Sequence, residues 1–269
     1  MSNTRFGAES VMRTLVIVNE TAGGGRCARF VPELLNILRK GDVSFDVVTT
    51  HYAGQATQIT VEANSAGVRK FIVMGGDGTT YEVINGLFPR DYEQDPIELG
   101  VVPLGTGNSF LRDFGVTTPC QAMMGVLGGR SQVCDLIRLE HAKGVVFFIN
   151  LLSLGFSATV GALRNERYSR WGTLGYALSV TASLGKLEAE HCKLRVDEAG
   201  EFEDVDYIML SFSNTQYTGG RMRMAPNASS ADGLMDMIHA MPMGRAQLLR
   251  AFPDIYRGSH VHHPKVRER

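Results

Sequence analysis

The sequence predicts two domains of different class: an open parallel α/β domain, followed by a mostly antiparallel, β-sandwich-like domain. In the first half, short apolar runs rich in β-branched residues alternate with stretches of helical periodicity. In the second half, apolar runs follow one another with little helix between them. The chain has 269 residues, of which 44% are hydrophobic, and this is enough for two cores. We therefore predict an α/β domain over 12–130 and a β-rich domain over 131–269.

The predicted strands of the first domain are largely apolar runs, as expected of parallel strands that are covered on both faces. The first run, TLVIVN, is followed by CARFVPELLNILRK, whose apolar side chains recur at helical spacing. The same alternation of strand and helix continues to about residue 130. The predicted strands are 14–19, 45–50, 71–76 and 99–105, and the predicted helices include 27–40, 53–66 and one that begins near Thr79 and contains 81–88.

The second domain is predicted to contain five strands and one long helix. Runs such as VCDLIRLE and DYIMLSFSN are typical of strands, and a helical pattern interrupts the series of runs once. Such a series favours a sandwich or a partly open barrel. The predicted strands are 133–140, 145–155, 191–197, 206–214 and 234–241, and the predicted helix is 162–184.

Charge and hydropathy exclude several classes of protein. The formal net charge of −1 gives no overall field for nucleic acid or for an anionic membrane. The first twelve residues lack the apolar stretch of a signal peptide, and the longest apolar run, 145–156, is too short to cross a bilayer. The sequence thus predicts a cytoplasmic protein that binds no nucleic acid and touches membranes only from one side.

Three of the predicted strands end in polar, glycine-rich turns: NETAGGGR (19–26), GGDGTT (75–80) and PLGTGNSF (103–110). In an open parallel sheet, ligands bind beyond the carboxyl ends of the strands. Glycines allow backbone N–H groups to approach phosphate oxygens without an intervening Cβ, and a helix that begins at such a turn adds the positive end of its dipole. One glycine turn is weak evidence, but three at one edge predict a phosphate site.

The turns differ from two common phosphate motifs. The sequence contains no GxxxxGK[ST], and the first turn has neither GxGxxG nor an acidic residue closing the second strand. Asp77 is the unusual residue, because phosphates repel a carboxylate that does not act on a metal ion or a proton. Asp77 therefore favours a magnesium nucleotide and phosphoryl transfer.

GGDGTTYEVINGL (75–87), followed by LGVVPLGTGNSFLRDFG (99–115), resembles the diacylglycerol kinase catalytic-domain family. This family includes bacterial lipid kinases and the eukaryotic sphingosine, ceramide and diacylglycerol kinases. SNTQYTGGRMRMAPNASSADGLMDM (213–237) is similar to the signature of the family's β domain. GGDGT alone is shared with NAD kinases, but the GTGN and AP…DG blocks together are specific to the lipid kinases. NAD kinase is the less favoured alternative.

The resemblance covers nearly the whole chain and implies a lipid kinase that uses ATP and Mg²⁺ as cofactors. The implied acceptor is a hydroxyl of diacylglycerol or of a sphingoid-type lipid. Threonine hydroxyls and glycine amides are suitable donors to phosphate and ribose oxygens. The implied ATP contacts are Asn19, Thr50, Gly75, Gly76, Asp77, Gly78, Thr79, Thr80, Tyr81 and Thr106. Glu82 and Asn85, one helical turn apart, are expected to orient this loop, although Asn85 could instead end the helix.

The resemblance also implies a structural Mg²⁺ in the β domain. Asp232 matches the family's DG.L aspartate, Leu234 would offer its carbonyl, and Ser229 is a weaker candidate. Hard cations prefer such oxygen ligands. The alternative interpretation of these residues is an Asp-Gly hairpin turn before a strand.

Three features depart from the family pattern. Glu20 stands where the family usually has proline, and Ser109 replaces an aspartate that helps to organise Mg²⁺ and water. The family's D-G-E turn, which is thought to deprotonate the lipid hydroxyl, does not occur in the sequence, so we expect a β domain truncated at its C-terminus. Two hypotheses remain: a kinase in which Asp77 is the catalytic base, and a nucleotide-binding fragment or pseudoenzyme.

Residues 162–186 are the predicted site of peripheral membrane contact, at the inner surface of the membrane. Basic residues lead into an amphipathic, aromatic helix, with Arg164, Arg167, Arg170 and Trp171 as the expected anchors. The alternative is a helix that packs across the β domain and has a solvated basic end. The sequence identifies neither the lipid nor the oligomeric state, and a homodimer is left open.

Overall fold

The computed structural model describes residues 13–89, 96–164, 167 and 172–269. The chain divides into two compact units between Phe148 and Ile149. The strand pair within 137–148, which the sequence analysis assigned to the second domain, belongs to the first unit.

The first unit contains a parallel four-stranded sheet, as predicted, with the strand order β2-β1-β3-β4. Its strands are β1 (Thr14–Val18), β2 (Phe45–Thr49), β3 (Lys70–Gly75) and β4 (Glu98–Pro103). Its helices are α1 (Cys27–Lys40), α2 (Gln55–Ser65), α3 (Asp77–Leu87) and α4 (Pro119–Leu127). A short 3₁₀ helix spans Phe110–Phe114, and an antiparallel pair, β5 (Ile137–His141) and β6 (Gly144–Phe148), ends the unit.

Helices cover both faces of this sheet, which explains why its central strands are apolar throughout. Side chains alternate between the faces of a strand, so Val16 and Val18 of β1 pack against α1 and α4, whereas Leu15 and Ile17 pack against α2 and α3. All four side chains are buried. Burial of each stabilises the fold by about 1.5–3 kcal/mol.

The second unit is the predicted antiparallel β-sandwich. Its four-stranded sheet has the order β14-β13-β10-β7, and one face of β10 packs against the β8–β9 hairpin through Tyr207, Leu210 and Met237. The strands are β7 (Leu151–Gly155), β8 (Glu190–Leu194), β9 (Glu203–Tyr207), β10 (Met209–Ser213), β11 (Tyr217–Thr218), β12 (Met222–Arg223), β13 (Asp236–Ala240) and β14 (Val266–Glu268). The helices are α5 (Phe156–Leu163), α6 (Gly172–Ser183) and α7 (Arg245–Ala251).

Two predicted strands are each divided in the structure. The run 145–155 forms β6 and β7, because the carbonyls of Ile149 and Asn150 accept hydrogen bonds from Asn214 instead of continuing a ladder. The run 206–214 contains the end of β9 and all of β10. Ile208, between them, donates its N–H to Ala240 and accepts the N–H of Phe156. A continuous apolar run does not by itself reveal where a strand changes partners.

The predicted helix 162–184 corresponds to the end of α5 and to α6, which begins at Gly172. Of the four expected membrane anchors, Arg170 and Trp171 lie outside the described residues. None of the helices within the described ranges has both the length and the apolar character needed to span a bilayer.

Candidate functional site

The carboxyl ends of the four parallel strands carry most of the predicted nucleotide-binding residues. Asn19 follows β1, Thr50 follows β2, Gly75 ends β3, and Thr106 lies in the turn after β4. The buried Thr50 donates both its N–H and its hydroxyl to the carbonyl of Val18, at 2.8 and 3.3 Å. The side chain of Thr106 is exposed. The structure thus brings these predicted residues to one edge of the sheet, and their contacts with a nucleotide stay predictions.

The first glycine turn is attached to α3 by Asn19. Its Nδ2 donates to Oγ1 of Thr79 at 3.0 Å, and its Oδ1 accepts both the N–H and the hydroxyl of Thr21. Glu20, the first departure from the family pattern, is exposed beside this asparagine. Asn19 therefore shapes the turn through its side chain, whatever else it binds.

Three successive glycines of this turn, Gly23 to Gly25, have φ angles of 64°, 71° and 85°. Residues with a Cβ rarely adopt this left-handed conformation. A Cβ on Gly23 would also lie 2.5 Å from the carbonyl oxygen of Leu104, whereas Gly24 and Gly25 face open space. The turn thus packs closely against the loop after β4 and leaves two glycine backbones open to a ligand.

The second and third glycine turns touch each other. A Cβ on Gly105 would lie 2.4 Å from the Cα of Gly76, and one on Gly76 would lie 2.9 Å from the Cα of Gly105. Asn108, at a φ of 51°, holds the third turn because Oδ1 accepts the Gly105 N–H and Nδ2 donates to the Gly105 carbonyl, both at 2.9 Å. Both glycines are needed for this backbone approach.

Asp77, the predicted catalytic residue, is the first residue of α3. Its side chain accepts hydrogen bonds from the segment that follows β4. Both of its carboxylate oxygens accept the N–H of Ser109 at 3.0 Å, and Oδ1 also accepts that of Phe110 at 3.4 Å. It therefore caps the 3₁₀ helix Phe110–Phe114. Because the donor is a backbone N–H, this bond does not depend on the side chain at position 109. A carboxylate has about four acceptor sites, so capacity for a proton or a cation remains.

The threonines after Asp77 make bonds within the fold. Oγ1 of Thr79 accepts from Asn19, and Oγ1 of Thr80 donates to the carbonyl of Gly76 at 3.3 Å; both side chains are buried. Gly78 and Tyr81, by contrast, are exposed, and a Cβ on Gly78 would meet nothing within 4 Å. Direct ATP contacts from Thr79 and Thr80 stay predictions. At this start of α3, the space open to a ligand lies beside Gly78.

Glu82 is bonded to α2 through both its side chain and its main chain. Its Oε2 accepts the N–H of Ala56 at 3.1 Å, and its main-chain carbonyl accepts the hydroxyl of Thr57 at 2.9 Å. The side chain thus caps α2, whose N-terminal neighbour Gly54 has a φ of 86°. Glu82 does orient a loop, but it is the loop after β2.

The predicted metal ligands of the second unit lie in one exposed turn. Oδ1 of Asp232 accepts the N–H of Leu234 at 3.0 Å, and Ser229, Asp232 and Leu234 are all exposed. No cluster of three or more His, Cys, Asp or Glu side chains suited to a metal ion occurs in the part of the chain that the structure describes. A cation here would depend on one carboxylate, carbonyls and water, as magnesium often does. This site stays a prediction.

The second unit also contains a partly open cavity of about 70 Å³ whose surface is apolar. Four methionines line it, at positions 209, 222, 224 and 243, together with Phe156 and Phe252. His260 lies in its wall and pairs through Nε2 with the carbonyl of Met224 at 2.9 Å. Burial lowers the pKa of His260, which favours the neutral ring. No pattern in the sequence indicated this cavity.

Comparisons with known proteins agree with this architecture. The model of the "Diacylglycerol kinase catalytic domain" matches residues 13–139, and that of the "YegS C-terminal NAD kinase beta sandwich-like domain" matches residues 150–269. The chain therefore belongs to the diacylglycerol kinase catalytic-domain family. Its second half is of the YegS type.

Individual relatives extend over most of the chain. A diacylglycerol kinase of Mycobacterium tuberculosis is 28% identical over 264 residues, which cover 97% of this chain and 84% of the relative. A protein of Xanthomonas oryzae named "Probable lipid kinase YegS-like" is 30% identical over 211 residues, covering 76% and 67%. A crystal structure of a diacylglycerol kinase from Bacillus anthracis has a TM-score of 0.69 at 22% identity, covering 96% and 83%, and this likeness concerns the fold.

Proposed function

We propose that this chain is a lipid kinase that transfers the γ-phosphoryl group of ATP to a hydroxyl of diacylglycerol or of a sphingoid-type lipid. The observation that carries the proposal is the sheet edge at which three glycine turns meet beside Asp77. Gly24, Gly25 and Gly78 there have no atom where a side chain would project. Family membership supports the same assignment.

The nucleotide phosphates would lie over these open glycines. Backbone N–H groups at a strand end, together with the first turn of α3, provide donors and a positive dipole end for an anion. The exposed Gly78 is the second residue of α3 and so lies within that first turn. Thr106 and Tyr81, both exposed, are available at the rim for the ribose or the phosphates. The site requires no lysine, because Mg²⁺ accompanies ATP and neutralises phosphate charge.

The reaction is an in-line displacement at phosphorus. The lipid hydroxyl oxygen forms a bond to the γ-phosphorus, the bond from that phosphorus to the β–γ bridging oxygen breaks, and ADP leaves with the bond's electrons. The hydroxyl proton passes to a base, for which we propose Asp77. The Ser109 and Phe110 N–H groups would hold this carboxylate in a fixed orientation during the transfer.

The acceptor lipid would insert one hydrocarbon chain into the methionine-lined cavity of the second unit. Methionine side chains are flexible, so such a wall can adapt to chains of different shape. The chain would reach its lipid by peripheral contact with a membrane surface, as expected from the basic residues that precede α6. At the turn around Asp232, a structural Mg²⁺ would take that carboxylate and the Leu234 carbonyl as ligands.

The test is transfer of labelled phosphate from ATP to a panel of acceptors in mixed micelles. The panel contains diacylglycerol, sphingosine, ceramide and, as a water-soluble alternative, NAD. We expect a labelled lipid product with at least one lipid and none with NAD. If ATP binds but no lipid is labelled, the proposal is wrong for this chain. A labelled NAD product would indicate the other kinase class.

A further inference from the structure

Asn85 pairs with a strand and does not end its helix. Its Nδ2 donates to the carbonyl of Phe147 at 2.8 Å, and its Oδ1 accepts the N–H of Phe147 at 2.9 Å. The side-chain amide thus makes both hydrogen bonds that a neighbouring strand would make with this residue. A third bond, from Nδ2 to the carbonyl of Tyr81 at 2.9 Å, fixes the orientation of the amide.

Phe147 is held firmly by its surroundings. Its side chain is buried, and its ring centroid lies 5.4 Å from that of Phe88, the residue after α3. On the other edge of β6, Phe147 lies opposite Arg138 of β5. β6 therefore has β5 on one edge and the Asn85 amide of α3 on the other.

The next residues are held within the second unit. Nδ2 of Asn214 donates to the carbonyl of Ile149 at 2.9 Å, and the Asn214 N–H donates to the carbonyl of Asn150 at 2.8 Å. Oγ1 of Thr215 donates to Oδ1 of Asn150 at 2.8 Å. Asn214 and Thr215 are fully buried. The connection between the units is thus hydrogen-bonded on both sides of the Phe148–Ile149 junction.

α3 carries Asp77 at its first residue and Asn85 two turns later. The bonds that organise the phosphate site, from Asn19 to Thr79 and from Ala56 to Glu82, involve the first half of the helix. Loss of the Asn85 amide leaves them in place. This loss frees only β6 from its hydrogen bonds to α3. After β6 the chain continues into β7 and then α5, whose Phe156 lines the cavity.

We propose that Asn85 is a positioning residue for phosphoryl transfer. By pairing with Phe147 it fixes the strand that leads into the second unit to the helix that carries Asp77. The proposal rests on the proposed function, because it assigns the acceptor lipid to the second unit. Loss of this pairing loosens the last strand of the first unit, from which the chain runs into the unit to which we assign the lipid. We therefore expect transfer to the lipid to slow while ATP binding is unaffected, because transfer depends strongly on the positioning of the reacting groups.

The variants are Asn85→Ala, Asn85→Asp and, as a matched control, Asn36→Ala, at an exposed asparagine within α1. Asp at 85 can still accept the Phe147 N–H, but it places a charged oxygen against the Phe147 carbonyl. We expect both Asn85 variants to lower kcat for the lipid about tenfold, with the KM for ATP and the ATP-binding stoichiometry within twofold of wild type. Hydrogen exchange in a peptide covering 144–150 should accelerate in both variants and not in Asn36→Ala.

Each outcome bears on a different claim. Unchanged exchange at 144–150 contradicts the pairing of Asn85 with β6. Faster exchange with unchanged lipid kinetics contradicts the positioning role. So does an ATP-binding stoichiometry that falls in proportion to kcat, because an unfolded fraction of the protein gives that pattern. If the wild type phosphorylates no lipid, the proposed function fails in the wild-type assay itself, and the exchange measurement still tests the pairing.

Discussion

Both carboxylate oxygens of Asp77 accept the same backbone N–H, that of Ser109, at 3.0 Å. Similar contacts join α3 to the segments that follow the other parallel strands. Thr79 holds the turn after β1 through Asn19, and Glu82 holds the start of α2, which follows β2. The first two turns of α3 therefore fix the shape of the strand-end edge, and the site that we propose for phosphate is organised without a ligand.

The variant Gly78→Ala should raise the stability of the fold and weaken the binding of ATP. A Cβ here meets no protein atom, and Gly78 lies within a helix, so alanine should stabilise the fold by about 0.5 kcal/mol. The same methyl group would occupy space that we assign to phosphate, so the Kd for ATP should rise at least tenfold. Urea unfolding and calorimetric titration with ATP measure the two effects. A variant that is more stable and binds ATP normally would place the phosphates elsewhere.

Asn108 is expected to contribute to stability in two distinguishable ways. Asn108→Ala loses both bonds to Gly105 and must hold a φ of 51°, so it should cost about 2 kcal/mol in the free energy of unfolding. Asn108→Gly loses the bonds but tolerates the backbone, so it should cost about 1 kcal/mol less. Urea midpoints of the two variants make the comparison. Equal losses of stability in the two variants would show that the backbone conformation at position 108 does not contribute to the difference.

Ala251→Leu tests the cavity as the site of a hydrocarbon chain. Ala251 is the last residue of α7 and lines the cavity, so a larger side chain should partly fill it. We expect the KM for a long-chain diacylglycerol to rise about fivefold, with a smaller change for a dioctanoyl substrate and none for ATP. Ala246→Leu, at an exposed position of the same helix, is the control. Identical shifts for both lipids or in both variants would exclude this cavity as the chain-binding site.

His191 gives the β8–β9 hairpin a pH dependence. Hydrogen bonds to Asp206, at 2.9 Å, and to Asp204, at 3.2 Å, raise the pKa of His191. Because the folded pKa is raised, the stabilisation is complete below the unfolded value of about 6.5 and is lost as the pH rises through the folded value. An NMR titration should give a midpoint above 6.5, and Asp206→Asn should lower it. A midpoint that Asp206→Asn leaves unchanged would contradict this pairing.

The sequence was informative about features that depend on neighbouring residues. The apolar strands, the three glycine turns and the start of α3 near Thr79 could all be read locally, because periodicity and glycine conformation are properties of short segments. The sequence was uninformative about hydrogen bonds between elements that are far apart along the chain. Ser109 binds Asp77 through its backbone, which no residue type signals, and Glu82 and Asn85 find partners on other elements.

The second unit was harder to predict for a related reason. An apolar run such as 145–155 fits one strand as well as two, and only the partners of Ile149 and Asn150 decide where it breaks. The cavity is likewise lined by side chains from several elements, among them α5, α7, β10, β12 and β13. Residues far apart in sequence form it, so no local pattern could indicate it.

The most direct test of this account is Asp77→Asn, measured for both ATP binding and phosphate transfer to the lipid that the wild type prefers. Asparagine keeps an oxygen that can accept the Ser109 N–H, but it cannot serve as a base. We expect transfer to fall by about 10²–10⁴-fold. The Kd for ATP and the unfolding midpoint should stay close to those of wild type. An unchanged transfer rate would contradict the central claim that Asp77 is the base for phosphoryl transfer at this sheet edge.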